Sequence, residues 1–335
     1  MDYVLNVAVF VMKKRTVFNG IINHCCQRAA GLEVLFYSLS DFLVFYTIVS
    51  VMVRKFMVKL VSLCLMYDHF HMSVITRNAK QLSKFMFACT WTYAKEMNPV
   101  CHRKGDLFQH SFKSSVKRGD KKARSNIIYL ANNPVERKMV KKAEEYRWNF
   151  LAYYLSDHPF SKPLVIRDSS WPMRKAIQEV KSHYAAGRYL NYTVLKRISS
   201  PLNRMEQEQL TDFIISTYKT IDYEYAIRFF DSYEDMITAI HADTGSEYDL
   251  NEIFIGKSDE YYPRLVNLTL KQTGLKDIHD VLGLPEKERY DLFDYLILKT
   301  EADPRQIAAF LRIKVTFNPK DREMEVAGNE AVTQN

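Results

Sequence analysis

The stretch that decides the fold is residues 58–76, VKLVSLCLMYDHFHMSVIT. Its first part, Val58 to Met66, is apolar and rich in β-branched residues, which favours a strand. Tyr67 and Asp68 form a short break that predicts a tight turn. His69 to Thr76 then returns as a second strand. The stretch therefore predicts an antiparallel hairpin.

Strand and helix patterns alternate around this hairpin. Apolar periodicity and capping residues such as Ser38 and Asn78 predict helices. The further elements predicted from the sequence are a strand at 21–28, a helix at 41–56, a helix at 79–97, a strand at 107–116, a helix at 121–130 that Asn133-Pro134 ends or bends, and a helix at 134–146. This order predicts an α+β fold with one ferredoxin-like antiparallel sheet and helices packed on it.

The second half of the chain has a different character. Prolines and several Ser and Asp residues mark a linker that begins near Ser156. Beyond it the apolar spacing predicts a mostly helical domain, with helices at 171–198, at 203–218 and in further segments to about 311. The polar end of the chain is predicted to be a disordered tail. The three expected parts are 1–155, 156–317 and 318–335.

Charge is distributed unevenly along the chain. Residues 1–150 hold 24 Lys and Arg against 10 Asp and Glu, a net charge of +14, whereas residues 151–335 hold 23 against 29, a net charge of −6. The first half is therefore expected to meet a polyanion, and a nucleic acid is the simplest one. The basic residues predicted to bind DNA phosphates are Arg103, Lys104, Lys113, Lys117, Arg118, Lys121, Lys122 and Arg124.

Some aromatic residues of the same half could stack on unpaired bases. They are Trp91, Phe108, Phe112 and Trp148. The alternative is that they belong to the core, and we expect this for most of them because large aromatic side chains dominate protein cores.

Composition also bears on location. The five cysteines have no regular spacing, which argues against a disulfide framework and fits a reducing cytoplasm. The apolar run at the N-terminus precedes its positive charges, unlike a signal peptide. A second apolar run, Phe42 to Val53, is too short for the roughly 20 residues that cross a bilayer, and it predicts a buried helix. We expect a cytoplasmic protein without a membrane partner.

The hairpin also contains candidate metal ligands. Alternate side chains of a strand share a face, so His69 and His71 point the same way and can bind one metal ion. Tyr129 and Asn133 lie four residues apart and are neighbours on one face of the predicted helix. If that helix packs on the histidine strand, the phenol and the amide oxygen both reach the metal. A metal that polarises a phosphate would then assist attack by the phenol.

Each of these features is common by itself. A His-x-His pair, or a Tyr in a chain with 21 tyrosines, is usually structural. Their order, their spacing and their position in the basic half strengthen the combined hypothesis. His24, on the first predicted strand, could line the same site. Neutral imidazole suits Mn and Zn, whereas Mg prefers oxygen ligands.

Longer segments resemble a known family. Residues 63–74, LCLMYDHFHMSV, look like the strand-turn-strand of single-tyrosine HUH transposases, whose motif is His-hydrophobic-His. Residues 127–140, IIYLANNPVERKMV, resemble the Tyr-x-x-x-Asn-Pro-Val signature of the REP-associated tyrosine transposases, a branch of that insertion-sequence superfamily. Residues 105–116, GDLFQHSFKSSV, are similar to the family's strand of a glycine followed by aromatics, and Tyr146-Arg147-Trp148 to the close of its catalytic domain. The likeness covers about residues 18–155.

The resemblance implies a role for each matching residue. It implies an HUH endonuclease domain in which His69, His71 and Asn133 bind Mg or Mn, and in which Tyr129 attacks the DNA. It implies single-stranded DNA beside a hairpin as the substrate. A homodimer is an option, because active sites in this superfamily can be shared between subunits. The family usually has Pro-Asn where this chain has Tyr67-Asp68, so Asp68 would either support a histidine or simply form the turn.

We therefore predict a metal-dependent transposase or single-stranded DNA endonuclease that cleaves and rejoins DNA through a covalent phosphotyrosine intermediate. The alternative is a catalytically inactive, domesticated single-stranded nucleic-acid-binding protein of the same fold. A third hypothesis, a zinc hydrolase, predicts that Tyr129 lies far from His69.

Overall fold

A four-stranded sheet forms the centre of the N-terminal part. The computed structural model describes residues 15–109, 111–242, 255–256 and 258–316. The strands are β1 (Ile22–Arg28), β2 (Lys59–Leu65), β3 (His69–Ile75) and β4 (Lys113–Lys117). They lie in the order β2-β3-β1-β4, and every neighbouring pair is antiparallel. The prediction of a ferredoxin-like antiparallel sheet is confirmed.

The predicted hairpin is β2 and β3. The backbone N–H of Met66 donates to the carbonyl of His69 at 2.9 Å, which closes the turn. β3 also pairs with β1, so it is a central strand of the sheet. Because its side chains alternate, one face of β3 joins the main core through Phe70, Met72 and Val74. His69 and His71 therefore face the other side of the sheet.

Two helices pack on the core face of the sheet. α1 (Leu39–Phe56) begins after Ser38, whose side chain forms a reciprocal capping box with Asp41. α2 (Ala79–Val100) begins after Asn78, whose side chain accepts a hydrogen bond from the backbone N–H of Gln81. The second apolar run of the sequence is the buried part of α1, as predicted. No helix in the described part of the chain is long and apolar enough to cross a membrane.

A third helix covers the opposite face of the sheet. α3 (Asp120–Glu136) contacts β2, β3 and β4. The predictions that this helix ends near 130–133 and that a separate helix spans 134–146 are wrong, because α3 continues through Pro134. A proline inside a helix costs about 3 kcal/mol. Burial of Ile127, Ile128 and Ala131 against the sheet offsets this cost.

The fourth strand is shorter than predicted. The sequence pattern predicts a strand at 107–116, whereas β4 begins only at Lys113. Phe108 instead forms an isolated bridge with Ala29, and the carbonyl of Leu107 accepts a hydrogen bond from the N–H of Ala30 at 2.9 Å. These residues form a loop fixed to the end of β1.

The second half is mostly helical, as predicted. Its described helices are α4 (Trp171–Ala185), α5 (Tyr192–Ser199), α6 (Arg204–Tyr218), α7 (Tyr223–Ile227), α8 (Tyr233–Ala242), α9 (Tyr261–Thr273), α10 (Ile278–Val281), α11 (Glu286–Lys299) and α12 (Pro304–Leu311). The single helix predicted at 171–198 is two helices, because Gly187 follows α4 with a φ of +65° and ends it. The predicted tail at 318–335 lies outside the described residues, and the domain boundary at 155/156 stays a prediction.

The second half packs on the first at several places. α6 contacts α1, α7 contacts β2, and α8 contacts α3. Leu60 of β2 forms a bridge with Ile221, just before α7. One large apolar cluster contains side chains from both halves. The helical half therefore surrounds the sheet and α3 without forming a detached lobe.

Candidate active site

The two histidines of β3 lie side by side on the sheet face that α3 covers. Their ring centroids are 4.8 Å apart. In the strand register His69 lies opposite Arg28 of β1, and His71 lies opposite Cys26. Both imidazoles are fully buried. The predicted pairing of the two side chains on one face is therefore present.

Asp68 holds the ring of His69. Its carboxylate contacts Nδ1 of His69 and also pairs with the guanidinium of Arg28. Burial alone would raise the pKa of the Asp68 carboxyl, but Arg28 and His69 together lower this pKa well below its ordinary value. With Nδ1 held by the carboxylate, Nε2 is the nitrogen of His69 that lies away from Asp68. Asp68 thus supports a histidine in addition to forming the turn.

His24 of β1 completes a group of three imidazoles. Its Nε2 lies 3.0 Å from Nδ1 of His71, and the two ring centroids are 5.2 Å apart. The pKa of His71 is well below its ordinary value, first because of burial and then because of its electrostatic interactions with His69 and His24. A neutral imidazole is the form that binds a metal.

α3 brings Tyr129 and Asn133 to these imidazoles. The ring centroid of Tyr129 lies 5.8 Å from that of His71 and 5.8 Å from that of His24. The Asn133 amide donates to the carbonyl of Tyr129 at 3.0 Å, and a hydrogen bond that its side chain accepts from His71 raises the pKa of His71. The four residues predicted for the site are therefore neighbours. This proximity is the opposite of what the zinc-hydrolase hypothesis predicts.

A polar contact one turn earlier fixes α3 in this position. The Ser73 hydroxyl of β3 donates to the side-chain oxygen of Asn126 at 2.7 Å. Ser73 shares a face with His71, and Asn126 precedes Tyr129 by three residues on α3. The sequence prediction did not include Asn126 or Arg28. A signal for Arg28 was available, since it is a basic residue at the end of the strand that pairs with His69.

The site is closed to solvent in this conformation. Tyr129 exposes 6% of its surface and Asn133 exposes 1%. The sheet lies on one side of the tyrosine and α3 itself on the other. A phosphate can reach the phenol only if α3 or its surroundings move.

Residues from the second half hold the outer side of α3. Asn132 donates to the carbonyl of Ile240 in α8 at 2.8 Å. Arg124 lies 3.5 Å from the carboxylate of Asp235 and over the ring of Phe230. No local pattern in the sequence predicts these contacts, because their partners are over 100 residues apart.

The C-terminal end of α3 is held by a second group. The Arg137 guanidinium pairs with Asp259 at 2.7 Å and donates to the carbonyl of Gly256 at 2.8 Å. Burial, followed by repulsion from Asp68, raises the pKa of Asp259 above its ordinary value. The interaction with Asp68 places this segment near the His69 end of the site.

The predicted DNA-binding residues fall into two groups. Exposed ones are Lys104, Lys113, Arg118, Lys121 and Lys122. Lys113 lies opposite Cys26, which lies opposite His71, so Lys113 is on the histidine face of the sheet. The others are less exposed: Arg103 pairs with Glu33 at 3.2 Å, Lys117 is buried, and Arg124 contacts α8.

The predicted base-stacking residues also fall into two groups, according to how far each side chain is buried. Trp148 and Phe108 are buried, and Trp148 stacks on Phe42 with centroids 4.6 Å apart. Phe112 is half-buried under the guanidinium of Arg15. Trp91 is exposed. Three of the four are therefore engaged inside the protein.

The donor set can be compared with the needs of a divalent metal. No group of three or more His, Cys, Asp or Glu side chains in the described ranges has the arrangement of a metal site. The proposed ligand set of His69, His71 and Asn133 differs from such groups, because its third donor is the amide oxygen of Asn133. Two imidazoles whose Nε2 atoms are shielded from solvent, with the side chain of Asn133 beside them, suit Mn²⁺ in chemistry.

Comparisons with known proteins bear on the N-terminal part. Residues 9–133 match the family model described as IS200-like transposase, and this range includes His69, His71, Tyr129 and Asn133. Among solved structures, a REP-associated tyrosine transposase bound to a REP hairpin is similar at 13% identity and a TM-score of 0.37, over 43% of this chain and 84% of that chain. No curated protein gave a significant match.

Proposed function

We propose, on the premise that residues 9–133 belong to the IS200-like transposase family, that this chain cleaves and rejoins single-stranded DNA. The covalent link would be a phosphotyrosine bond at Tyr129. The observation that carries the proposal is the position of the Tyr129 ring, 5.8 Å from the rings of both His71 and His24. As the resemblance implies, the substrate would be single-stranded DNA next to a hairpin.

Tyr129 acts as the nucleophile in this proposal. Its oxygen forms a bond to phosphorus while the bond from phosphorus to the 3′ oxygen of the preceding nucleotide breaks. The phenol gives up its proton, and the departing 3′ oxygen takes up a proton. The ester retains the energy of the broken bond, so a 3′ hydroxyl can later attack it and reseal the strand without ATP.

The imidazoles and Asn133 position the reacting phosphate in this proposal. A divalent Mg or Mn ion held by His69, His71 and Asn133 would polarise the phosphate and offset its developing charge. Asp68 orients His69 for this role. Because a phenol has an ordinary pKa of about 10, Tyr129 needs such assistance at neutral pH.

The basic residues near β4 and at the start of α3 would hold the strand. Lys104, Lys113, Arg118, Lys121 and Lys122 are exposed and are proposed phosphate contacts. Arg103, Lys117 and Arg124 could join them only after leaving their present surroundings. Dimerisation and a cytoplasmic location remain predictions from the sequence.

The decisive experiment looks for a covalent protein–DNA adduct. The full chain and Tyr129→Phe are incubated with Mn²⁺ and labelled single-stranded oligonucleotides that contain hairpins, and the products are separated under denaturing conditions. We expect an adduct with the wild-type chain, and none with Tyr129→Phe at an unchanged circular-dichroism spectrum. If no hairpin-flanked oligonucleotide gives an adduct although the chain binds it, the catalytically inactive binding protein of the same fold is the better description.

A further inference from the structure

Two large aromatic side chains project from α2 into solvent. Phe87 exposes 64% of its surface and Trp91 exposes 55%. Their rings lie 6.4 Å apart and nearly parallel, with an interplanar angle of 21°. The other side of α2 supplies Phe85, Tyr93 and Met97 to the core, so the exposed pair is not needed there. Exposed stacked aromatics of this size indicate a binding surface.

The aromatic pair forms one wall of a groove. The opposite wall is the loop Gly105–Gln109, and the groove between them has a volume of about 620 Å³. The Asn98 amide donates to the carbonyl of Gly105 at 2.9 Å and fastens this loop to α2. This hydrogen bond fixes the loop beside α2.

Positive charge follows the aromatic pair along α2. Lys84 precedes Phe87 by three residues and Lys95 follows Trp91 by four, so the four side chains form one exposed stripe on the helix. The Lys95 ammonium lies 5.7 Å from the Trp91 ring. Lys104, at the start of the opposite loop, is also exposed.

Fewer acidic than basic side chains lie near the groove. Asp106 lines the groove, and Glu96 accepts a hydrogen bond from Tyr189 at 2.8 Å on another side of α2. Aromatic faces between lysines match the alternation of bases and phosphates in an unpaired strand.

The loop wall of the groove contacts the end of β1. Gln109 donates its backbone N–H to the carbonyl of Arg28 at 3.1 Å, and Phe108 forms the bridge with Ala29. Arg28 in turn pairs with Asp68, which holds His69. The loop wall of the groove is therefore joined to the end of β1 that carries Arg28, whereas the histidines lie on the sheet face opposite to α2.

We propose that the groove between α2 and the loop Gly105–Gln109 binds unpaired nucleotides of single-stranded DNA. Phe87 and Trp91 stack on bases, while Lys84 and Lys95 contact the phosphates. The choice of single-stranded DNA as the ligand rests on the proposed function. The test measures binding alone and does not need catalysis.

The test measures binding of a fluorescent oligothymidine to the full chain by anisotropy. Trp91→Ala is expected to weaken binding about tenfold, the loss of one stacked base. Trp91→Phe keeps a stacking ring and should retain most of the affinity. The matched control is Trp171→Ala, because Trp171 is also exposed and also lies beside a lysine, 3.7 Å from Lys175, but on α4. It should leave the affinity unchanged.

The outcomes separate this inference from the proposed enzyme. The groove is not a DNA site if Trp91→Ala binds the oligothymidine as tightly as the wild-type chain does, or if it loses no more affinity than Trp171→Ala. This conclusion holds even when the wild-type chain forms covalent adducts with DNA. If Trp91→Ala alone weakens binding while no adduct appears with the wild-type chain, the groove stands and the strand-transfer proposal fails. Failure of the wild-type chain to bind oligothymidine at low salt overturns the groove proposal directly.

Discussion

Asp68 connects the imidazole of His69 to the guanidinium of Arg28 inside the sheet. The sequence left two roles open for this residue, and the structure gives it both, as part of the turn and as the acceptor for the histidine. Arg28 and His69 are buried together with Asp68, so water cannot replace the carboxylate as the hydrogen-bond partner of either side chain. The orientation of His69 therefore depends on one carboxylate.

The change Asp68→Asn tests this dependence. Removal of one partner from a buried ion pair should destabilise the fold by about 3 kcal/mol, because the Arg28 charge loses its main compensation. Loss of the carboxylate behind His69 should also weaken Mn²⁺ binding roughly 10- to 100-fold. Urea unfolding and calorimetric Mn²⁺ titration measure the two effects.

A matched control for Asp68→Asn is Asp168→Asn, which removes the exposed pair with Arg167. This control should cost less than about 1 kcal/mol and leave Mn²⁺ binding unchanged. Equal Mn²⁺ affinity for Asp68→Asn and the wild-type chain would mean that Asp68 does not orient a ligand.

At the scale of elements, α3 has two different sides. Its inner side places Tyr129 and Asn133 against the histidines, while its outer side is held by α8 and by the segment that contains Asp259. A helix held on both sides keeps the tyrosine buried. Release of the outer side is therefore the step that we expect to expose it.

The change Asn132→Ala loosens the outer side of α3. It removes the hydrogen bond to the carbonyl of Ile240 and leaves that buried carbonyl unsatisfied, at a cost of about 1–3 kcal/mol. We expect amide hydrogen exchange in residues 126–136 to accelerate about tenfold or more, because each 1.4 kcal/mol is a factor of ten. Mass spectrometry of the exchanged peptides measures the effect.

Thr238→Ala is the control for Asn132→Ala. Thr238 lies on the exposed side of α8, and its hydroxyl donates to the carbonyl of Glu234 in the same helix. It should not change exchange in α3. Equal exchange in all three proteins would show that α8 does not restrain the helix.

For the molecule as a whole, a buried histidine links the two halves. His279 of α10 lies 3.0 Å from Asp41 of α1 and 2.6 Å from Asp277. Both ring nitrogens face carboxylates, which requires the doubly protonated imidazolium. Burial would lower the pKa of His279, but the two carboxylates raise it to about 10.

This pKa predicts how the stability of the whole fold depends on pH. A group whose folded pKa is raised contributes its full stability below its ordinary pKa of about 6.5 and loses it as the pH rises through the folded value of about 10. The wild-type chain should therefore lose on the order of a few kcal/mol between pH 6.5 and 10 through this group.

The variant His279→Gln tests the linkage. It cannot carry the charge, so its stability should be lower near neutral pH and should change less between pH 6.5 and 10 than that of the wild-type chain. Urea unfolding at several pH values measures both proteins. Parallel pH profiles would contradict the proposed charge on His279.

The local elements of the first half could be predicted from the sequence, and some boundaries could not. Caps at Ser38 and Asn78 predicted two helix starts, because capping is decided by a few neighbouring residues. Asn133-Pro134 predicted an end or a bend of the helix, and the end does not occur there, because burial of α3 against the sheet outweighs the local cost. Local signals fail where distant contacts are stronger.

By itself the sequence determined which side chains share a face. The period of a strand places His69 beside His71, and the period of a helix places Tyr129 beside Asn133, because both periods are properties of the covalent chain. Only the tertiary structure decided that the two faces meet, that His24 and Arg28 join them, and that Tyr129 is buried there. These facts depend on contacts between residues far apart along the chain, which arise only when the sheet, α3 and α8 pack together.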